Sequence, residues 1–156
     1  DTGIRDVVTG LYVREYFDDV IARELERSRR HGIHLSVLSV VLANLAELSE
    51  AGEETAHAAV VEAARALQAI VRETDHLFRW EEDEFLLLLF NADAEACALK
   101  VSQLDAFFRP WRDGSGPLPS PVKLRVGGAT HEEDLVFATV LQAARETARA
   151  GTRLPA

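Results

Sequence analysis

Apolar residues recur at helical spacing from Leu11 to about Arg30, with Thr9 placed as an N-cap and Gly32 just past the end. The pattern then changes. Leu35 to Leu42, LSVLSVVL, is short, continuous and rich in valine and leucine, which predicts a buried strand. A short helix is expected over Ala43 to Ser49, broken at Gly52. Glu54 to Arg72 is alanine-rich with 3.6-residue periodicity and predicts a long helix. His76 to Trp80 and Glu84 to Phe90 read as strands, with Glu81, Glu82 and Asp83 as a tight connection. Asp93 to Trp111 predicts a helix. Arg112 to Pro121 holds two glycines and three prolines and predicts a loop. Val122 to Thr130 is a strand, and Leu135 to Ala150 a last helix closed by Gly151.

An antiparallel hairpin set between helical crossovers points to an α+β fold. The expected core is a ferredoxin-type βαββαβ unit, a central antiparallel sheet surrounded by helices.

The 156 residues suit one domain. A chain that is 47% hydrophobic and 28% charged buries a core rather than staying disordered. The net charge of −9 argues against nucleic-acid backbone and anionic membrane as partners, while leaving room for a local basic site. The single cysteine, Cys97, excludes an internal disulfide and suits a reducing, cytoplasmic setting; among apolar helix residues it reads as core filler. No apolar run reaches a membrane span. No methionine is present, and the chain is expected to be a piece of a longer multidomain protein.

Four segments in order carry a family resemblance. Asp6 to Arg14, DVVTGLYVR, is similar to an opening D-x-L-T-G-L-x-N-R. Leu35 to Glu50 is similar to a first strand and its turn. Arg72 to Asp75, RETD, stands five residues before Glu81 to Phe85, EEDEF. Ala148 to Leu154, ARAGTRL, is similar to A-K-x-x-G-R-N-R. Over nearly the whole chain this resembles a bacterial GGDEF (diguanylate-cyclase-like) domain, of nucleotidyl-cyclase-like fold. The resemblance implies a family that condenses two GTP molecules into cyclic di-GMP across a dimer. Two divalent metals on carboxylates then neutralise phosphate charge and activate a 3′-hydroxyl.

Carried over residue by residue, the resemblance implies heavy losses. The strand carboxylate for metal falls at Val41, the triphosphate lysine at Ala46, and the guanine ligands at Ser49 and His57. The phosphate-binding cations of the last helix fall at Ala148 and Thr152, which leaves no cation expected there. The hairpin glycines are Glu81 and Glu82. Asp83, Glu84, Phe85 and Arg79 survive. Asp83 alone cannot hold two magnesium ions, and two added carboxylates repel a triphosphate. No catalytic residue, metal site or cofactor is therefore assigned to the degenerate signature.

Arg72 and Asp75 match the family's inhibitory site for cyclic di-GMP. An arginine fork bonds guanine O6 and N7, and an aspartate accepts from N1 and N2. Lys100 and Gln103 are the accessory positions, Gln103 standing where a further arginine is common. Helix-end and turn preferences also account for Arg72 and Asp75. Two cyclase-inactive readings follow: a cyclic di-GMP receptor or regulatory module through Arg72 and Asp75, or a ligand-free interaction or dimerisation module of a larger signalling protein. An active cyclase is the third. A pair engaged internally favours the interaction module. His131 to Asp134, HEED, reads as the acidic start of the last helix.

Overall fold

The structure, a computed structural model, describes residues 3–151. Five strands, β1 (Tyr12–Val13), β2 (Leu35–Leu42), β3 (His76–Glu81), β4 (Glu84–Phe90) and β5 (Leu124–Thr130), form one sheet in the order β1-β3-β4-β2-β5. Five α-helices accompany them: α1 (Phe17–His31), α2 (Leu45–Ala51), α3 (Glu53–Ile70), α4 (Ala94–Phe108) and α5 (Phe137–Ala150). Strands β2 to β5 with the crossovers α3 and α4 make the expected βαββαβ core, all three pairings antiparallel.

Both faces of the sheet are covered, which is why every residue of β2 is buried. Leu38, Val40 and Leu42 join Phe85, Leu87 and the alanine face of α3 on one side. Val37 joins Leu86, Leu88 and Phe78 under Phe17 and Val20 of α1 and Val140 and Ala144 of α5 on the other. Adjacent glycines in β5 let two helices approach from opposite sides. A Cβ at Gly127 would lie 2.4 Å from the Ala148 nitrogen, and one at Gly128 would lie 2.9 Å from Cys97 Sγ of α4. Cys97 is buried core, as its neighbours in sequence suggested.

Several boundaries differ from expectation. Leu11 to Tyr16 is not α-helical: Tyr12 pairs in parallel with Phe78 as an edge strand, so the sheet is mixed, and a 3-10 turn over Arg14–Tyr16 precedes α1. Thr9 does not cap α1; its hydroxyl donates to Asp6 Oδ2 at 2.8 Å and accepts from the Leu11 nitrogen at 3.2 Å. Helix α3 stops at Ile70, so Arg72 lies beyond its end. Helix α4 gives way at Arg109 to a 3-10 turn containing Pro110, which has no N–H to continue the α-helical ladder. Glu81 belongs to β3, with an irregular register between Arg79 and Glu81. His131 to Asp134 precede α5 as a loop rather than opening it.

Candidate functional site

The end of β2, the β3–β4 turn and the last turns of α5 converge at one end of the sheet. The Leu42 nitrogen donates to the Asp83 carbonyl at 2.7 Å, and the Ala43 nitrogen to the Lys123 carbonyl at 2.7 Å. The Asn44 side chain ties the next loop down, donating to the Pro121 carbonyl and accepting from the Lys123 nitrogen. The hairpin signature is thereby fixed against the strand that carries Val41.

Two carboxylates of the signature are bonded by the protein's own cations. Glu84 is wholly buried, directly across the ladder from Val41. It accepts from Ser39 Oγ at 2.7 Å, from Arg145 Nε and Nη2 at 2.9 Å each, and from Arg149 Nη2 at 3.1 Å. Asp83 accepts from Arg149 Nη1 at 2.9 Å and Nη2 at 3.0 Å. These are charge-assisted forks, the strong class of side-chain hydrogen bond. The Arg149 bonds hold the Asp83 carboxyl below its ordinary range, with burial opposing. For Glu84 burial pushes upward, and the bonds from Arg145, Ser39 and Arg149 outweigh it, leaving the carboxyl low.

The expectation of no cation in the last helix is therefore wrong. Arg145 and Arg149 stand four residues apart, on one helical face. Ala148, which matches the family's lysine position, is buried against Gly127 instead. Motif register drew attention to residues 148 and 152, and Thr152 lies outside the described residues. No local sequence signal names the two arginines, because some sixty residues separate them from the carboxylates they bind.

The residues present do not fit a pair of magnesium ions. Val41 is buried hydrocarbon, and the oxygens of Asp83 and Glu84 already face guanidinium groups. Among the described residues no group of three or more His, Cys, Asp or Glu is arranged to hold a metal. Ala46 and His57 are exposed on α2 and α3, and Ser49 is half-buried on α2.

The remaining polar signature residues bond within the chain or lie at its surface. Glu81 pairs with Arg14, and Glu82 is exposed. Arg79 donates to the Glu82 carbonyl at 2.9 Å and to Asp6 Oδ2 at 3.3 Å. Asp6 also accepts from the Thr9 nitrogen and hydroxyl. The D-x-x-T-G opening thus clamps the hairpin turn through Arg79. Phe85 is core, with no exposure.

Arg72 and Asp75 do meet, but inward. Arg72 Nε and Nη2 donate to Asp75 Oδ2 and Oδ1 at 3.2 and 3.1 Å, and Nη2 also reaches the Phe90 carbonyl at 3.0 Å. Asp75 further accepts from the Arg72 and Phe90 nitrogens. Its carboxylate is 0% exposed, while the Arg72 side chain is 54% exposed. The Asp75 carboxylate is thus turned onto Arg72 and the Phe90 backbone rather than displayed beside Arg72 at the surface. Lys100 is half-buried and Gln103 exposed on α4, and no hydrogen bond joins either to the pair.

A βαββαβ core whose carboxylate hairpin faces the end of its first core strand defines a nucleotidyl-cyclase-like domain. The chain belongs to the GGDEF family: the family described as "Diguanylate cyclase, GGDEF domain" matches residues 4–151. It is similar to the "Probable diguanylate cyclase DgcC" of Escherichia coli (strain K12), 27% identical over 93 residues, which is 59% of this chain and 25% of that protein. The match thus spans about a quarter of the relative's length. Among solved structures it is similar to diguanylate cyclase SiaD of Pseudomonas aeruginosa, determined with its activator SiaC, at 26% identity and a TM-score of 0.81 over 95% of this chain and 57% of that one. It also shares the fold of the DgcB GGDEF domain of Caulobacter crescentus, determined with c-di-GMP, at 14% identity and a TM-score of 0.83 over 96% and 90% of the two chains. No helix among the described residues is long and apolar enough to cross a membrane.

Proposed function

We propose that this GGDEF domain makes no cyclic di-GMP and works as a ligand-free interaction module within a larger bacterial signalling protein, on the cytoplasmic side. One observation carries the reading: Asp83 and Glu84, the surviving carboxylates of the signature, are bonded by Arg149 and Arg145. A guanidinium supplies the positive charge that a metal would supply in a cyclase. It presents no vacant coordination position to a phosphate oxygen or a 3′-hydroxyl. Val41, Ala46, Glu81 and Glu82 support the same reading, since metal, triphosphate and close backbone approach each lose their residue.

The second reading is a cyclic di-GMP receptor using Arg72 and Asp75, with Lys100 and Gln103 at its margin. The half-exposed Arg72 guanidinium favours it. The buried Asp75 weighs against it, because the carboxylate must break its internal bonds before it can accept from guanine.

Two measurements on the same sample test the proposal. Incubation with GTP and magnesium or manganese at high protein concentration is expected to yield no cyclic di-GMP. Product that vanishes in Asp83→Ala would overturn cyclase silence. Calorimetric titration with cyclic di-GMP is expected to give no saturable heat. Saturable heat that is lost in Arg72→Ala would replace the interaction module by the receptor.

A further inference from the structure

A trough runs along the sheet face covered by α1 and α5, opposite the face that carries α3 and α4. One part, about 1000 Å³, lies between the second half of α1 and the loop before α5. The other, about 520 Å³, lies between the start of α1, Trp80 and α5. Leu25 and Phe137 line both, so the two parts adjoin. The lining is mixed: Leu25, Ile33, Leu141 and Phe137 form an apolar strip between charged ends, and at one rim Val136 is 71% exposed beside the exposed Leu135. The exposed pair extends the apolar strip of the trough onto its rim, and contiguous apolar surface rimmed by polar residues is typical of interaction sites.

Two independent features say what covers it. The first is charge. Glu15 and Asp18 line one end, and Glu132, Glu133 and Asp134 the other. None of these five carboxylates forms an ion pair among the described residues. The two arginines of the lining are already occupied, Arg14 by Glu81 and Arg29 by Glu26. The second is an orphan donor. Trp80 lies in the wall, 8% exposed, and its indole N–H meets no acceptor. A buried donor without a partner is uncommon, and because this nitrogen is closed off from solvent, an incoming acceptor reaches it only as the trough wall shifts on docking.

We infer that the α1/α5 trough docks a helical segment of a partner domain, apolar along one stripe and flanked by lysine or arginine. The apolar stripe covers Val136, Leu25 and Phe137, and the basic margins answer the five unpaired carboxylates. This is helix-in-groove recognition with electrostatic selection of the partner. The inference rests on the interaction-module reading and assigns it a surface.

The test uses two synthetic amphipathic helical peptides of about four turns. Both carry the same leucine stripe, one flanked by lysines and the other by glutamates, and binding to the whole domain is read by anisotropy and by tryptophan emission. The leucine–lysine peptide should saturate and the leucine–glutamate peptide should not. Charge reversal by Glu132→Lys with Glu133→Lys, and separately Val136→Asp, should each weaken binding about tenfold or more. Trp80→Phe should weaken it several-fold. The first two changes are at exposed positions, so circular dichroism should show an unchanged fold. Binding should fall with added salt.

Absence of saturation by the lysine peptide overturns the proposal, as does equal binding of the two peptides or indifference to the trough substitutions. A control arm substitutes the exposed Leu99 and Phe107 of α4 by aspartate. Binding lost there but kept in the trough variants overturns the trough while leaving the interaction-module reading in place. Failure of that reading itself would show separately, as saturable cyclic di-GMP heat lost in Arg72→Ala.

Discussion

Arg149 grips Asp83 through both terminal guanidinium nitrogens, at 2.9 and 3.0 Å, across the gap between α5 and the hairpin turn. The same side chain reaches on to Glu84, which Arg145 holds from the other side. The signature carboxylates thus belong to a four-residue ionic cluster made entirely within the chain. A metal entering here would have to displace fixed cations and leave two guanidinium groups unpaired.

A nucleotide should therefore find no pocket. Excess GTP with magnesium is expected to leave the thermal midpoint unchanged, in the wild type and in Arg149→Ala alike. Any ligand that binds only the native state raises stability by mass action, so a saturable rise in either protein would contradict the assignment.

Removing Arg145 exposes how much the cluster holds. Glu84 is wholly buried, so Arg145→Ala strips a buried carboxylate of its fork and should cost about 2 to 3 kcal/mol, with Ser39 and Arg149 limiting the loss. Arg149→Ala, at a more exposed position, should cost less, about 1 kcal/mol. Adding Glu84→Gln to Arg145→Ala should recover part of the loss. Urea unfolding at neutral pH measures all three.

Acid should weaken the fold through this cluster. Both Asp83 and Glu84 have carboxyls held below their ordinary values when folded. The unfolded chain then binds more protons, so their stabilisation is complete above about pH 4 to 5 and is lost as pH falls through the lowered folded values. Burial also depresses His76, with Glu24 opposing, which gives the same sign in a window beginning near pH 6.5. Urea midpoints between about pH 7 and 3 should decline in those two stages. Asp83→Asn with Glu84→Gln should flatten the lower stage only, and His76→Phe the upper.

Asp75 should prove a structural residue. Its carboxylate accepts from two backbone nitrogens as well as from Arg72. Asp75→Ala leaves the Phe90 nitrogen without that acceptor in a part-buried place and should cost about 2 to 3 kcal/mol. Arg72→Ala, at a half-exposed position, should cost about 1 kcal/mol. Equal and negligible effects in urea unfolding would contradict an internal role.

Gly127→Ala tests how α5 is seated. The added Cβ would meet backbone atoms of Ala144 and Ala148 at 2.5 and 2.4 Å, neither able to yield as a flexible side chain could. Overpacking of this kind should cost about 3 kcal/mol or more and shift α5, so the Arg145 and Arg149 forks should loosen too. Thermal unfolding gives the first, and a weaker acid dependence the second.

The sequence by itself determined the core. Continuous burial wrote β2 as an unbroken apolar run, 3.6-residue periodicity wrote α3, and the two runs around Glu82 wrote the hairpin, because each pattern records which faces a local element must hide. The residue types at Val41, Ala46, Glu81 and Glu82, where the resemblance implies metal, phosphate and glycine positions, were equally legible, since residue type is a property of one position. Only the tertiary structure decided the rest. β1 is two residues long and exists through pairing with Phe78 and Arg79, so no local period announces it. Arg145 and Arg149 lie some sixty residues from the carboxylates they bind, and the packing of α5 on Gly127 aims them there. Arg72 and Asp75 matched a ligand motif in spacing, yet the turn beyond α3 closes them on each other and on Phe90. Spacing fixes which residue types are near one another along the chain. Whether their charges face a ligand or one another depends on which partners the fold brings within hydrogen-bond reach.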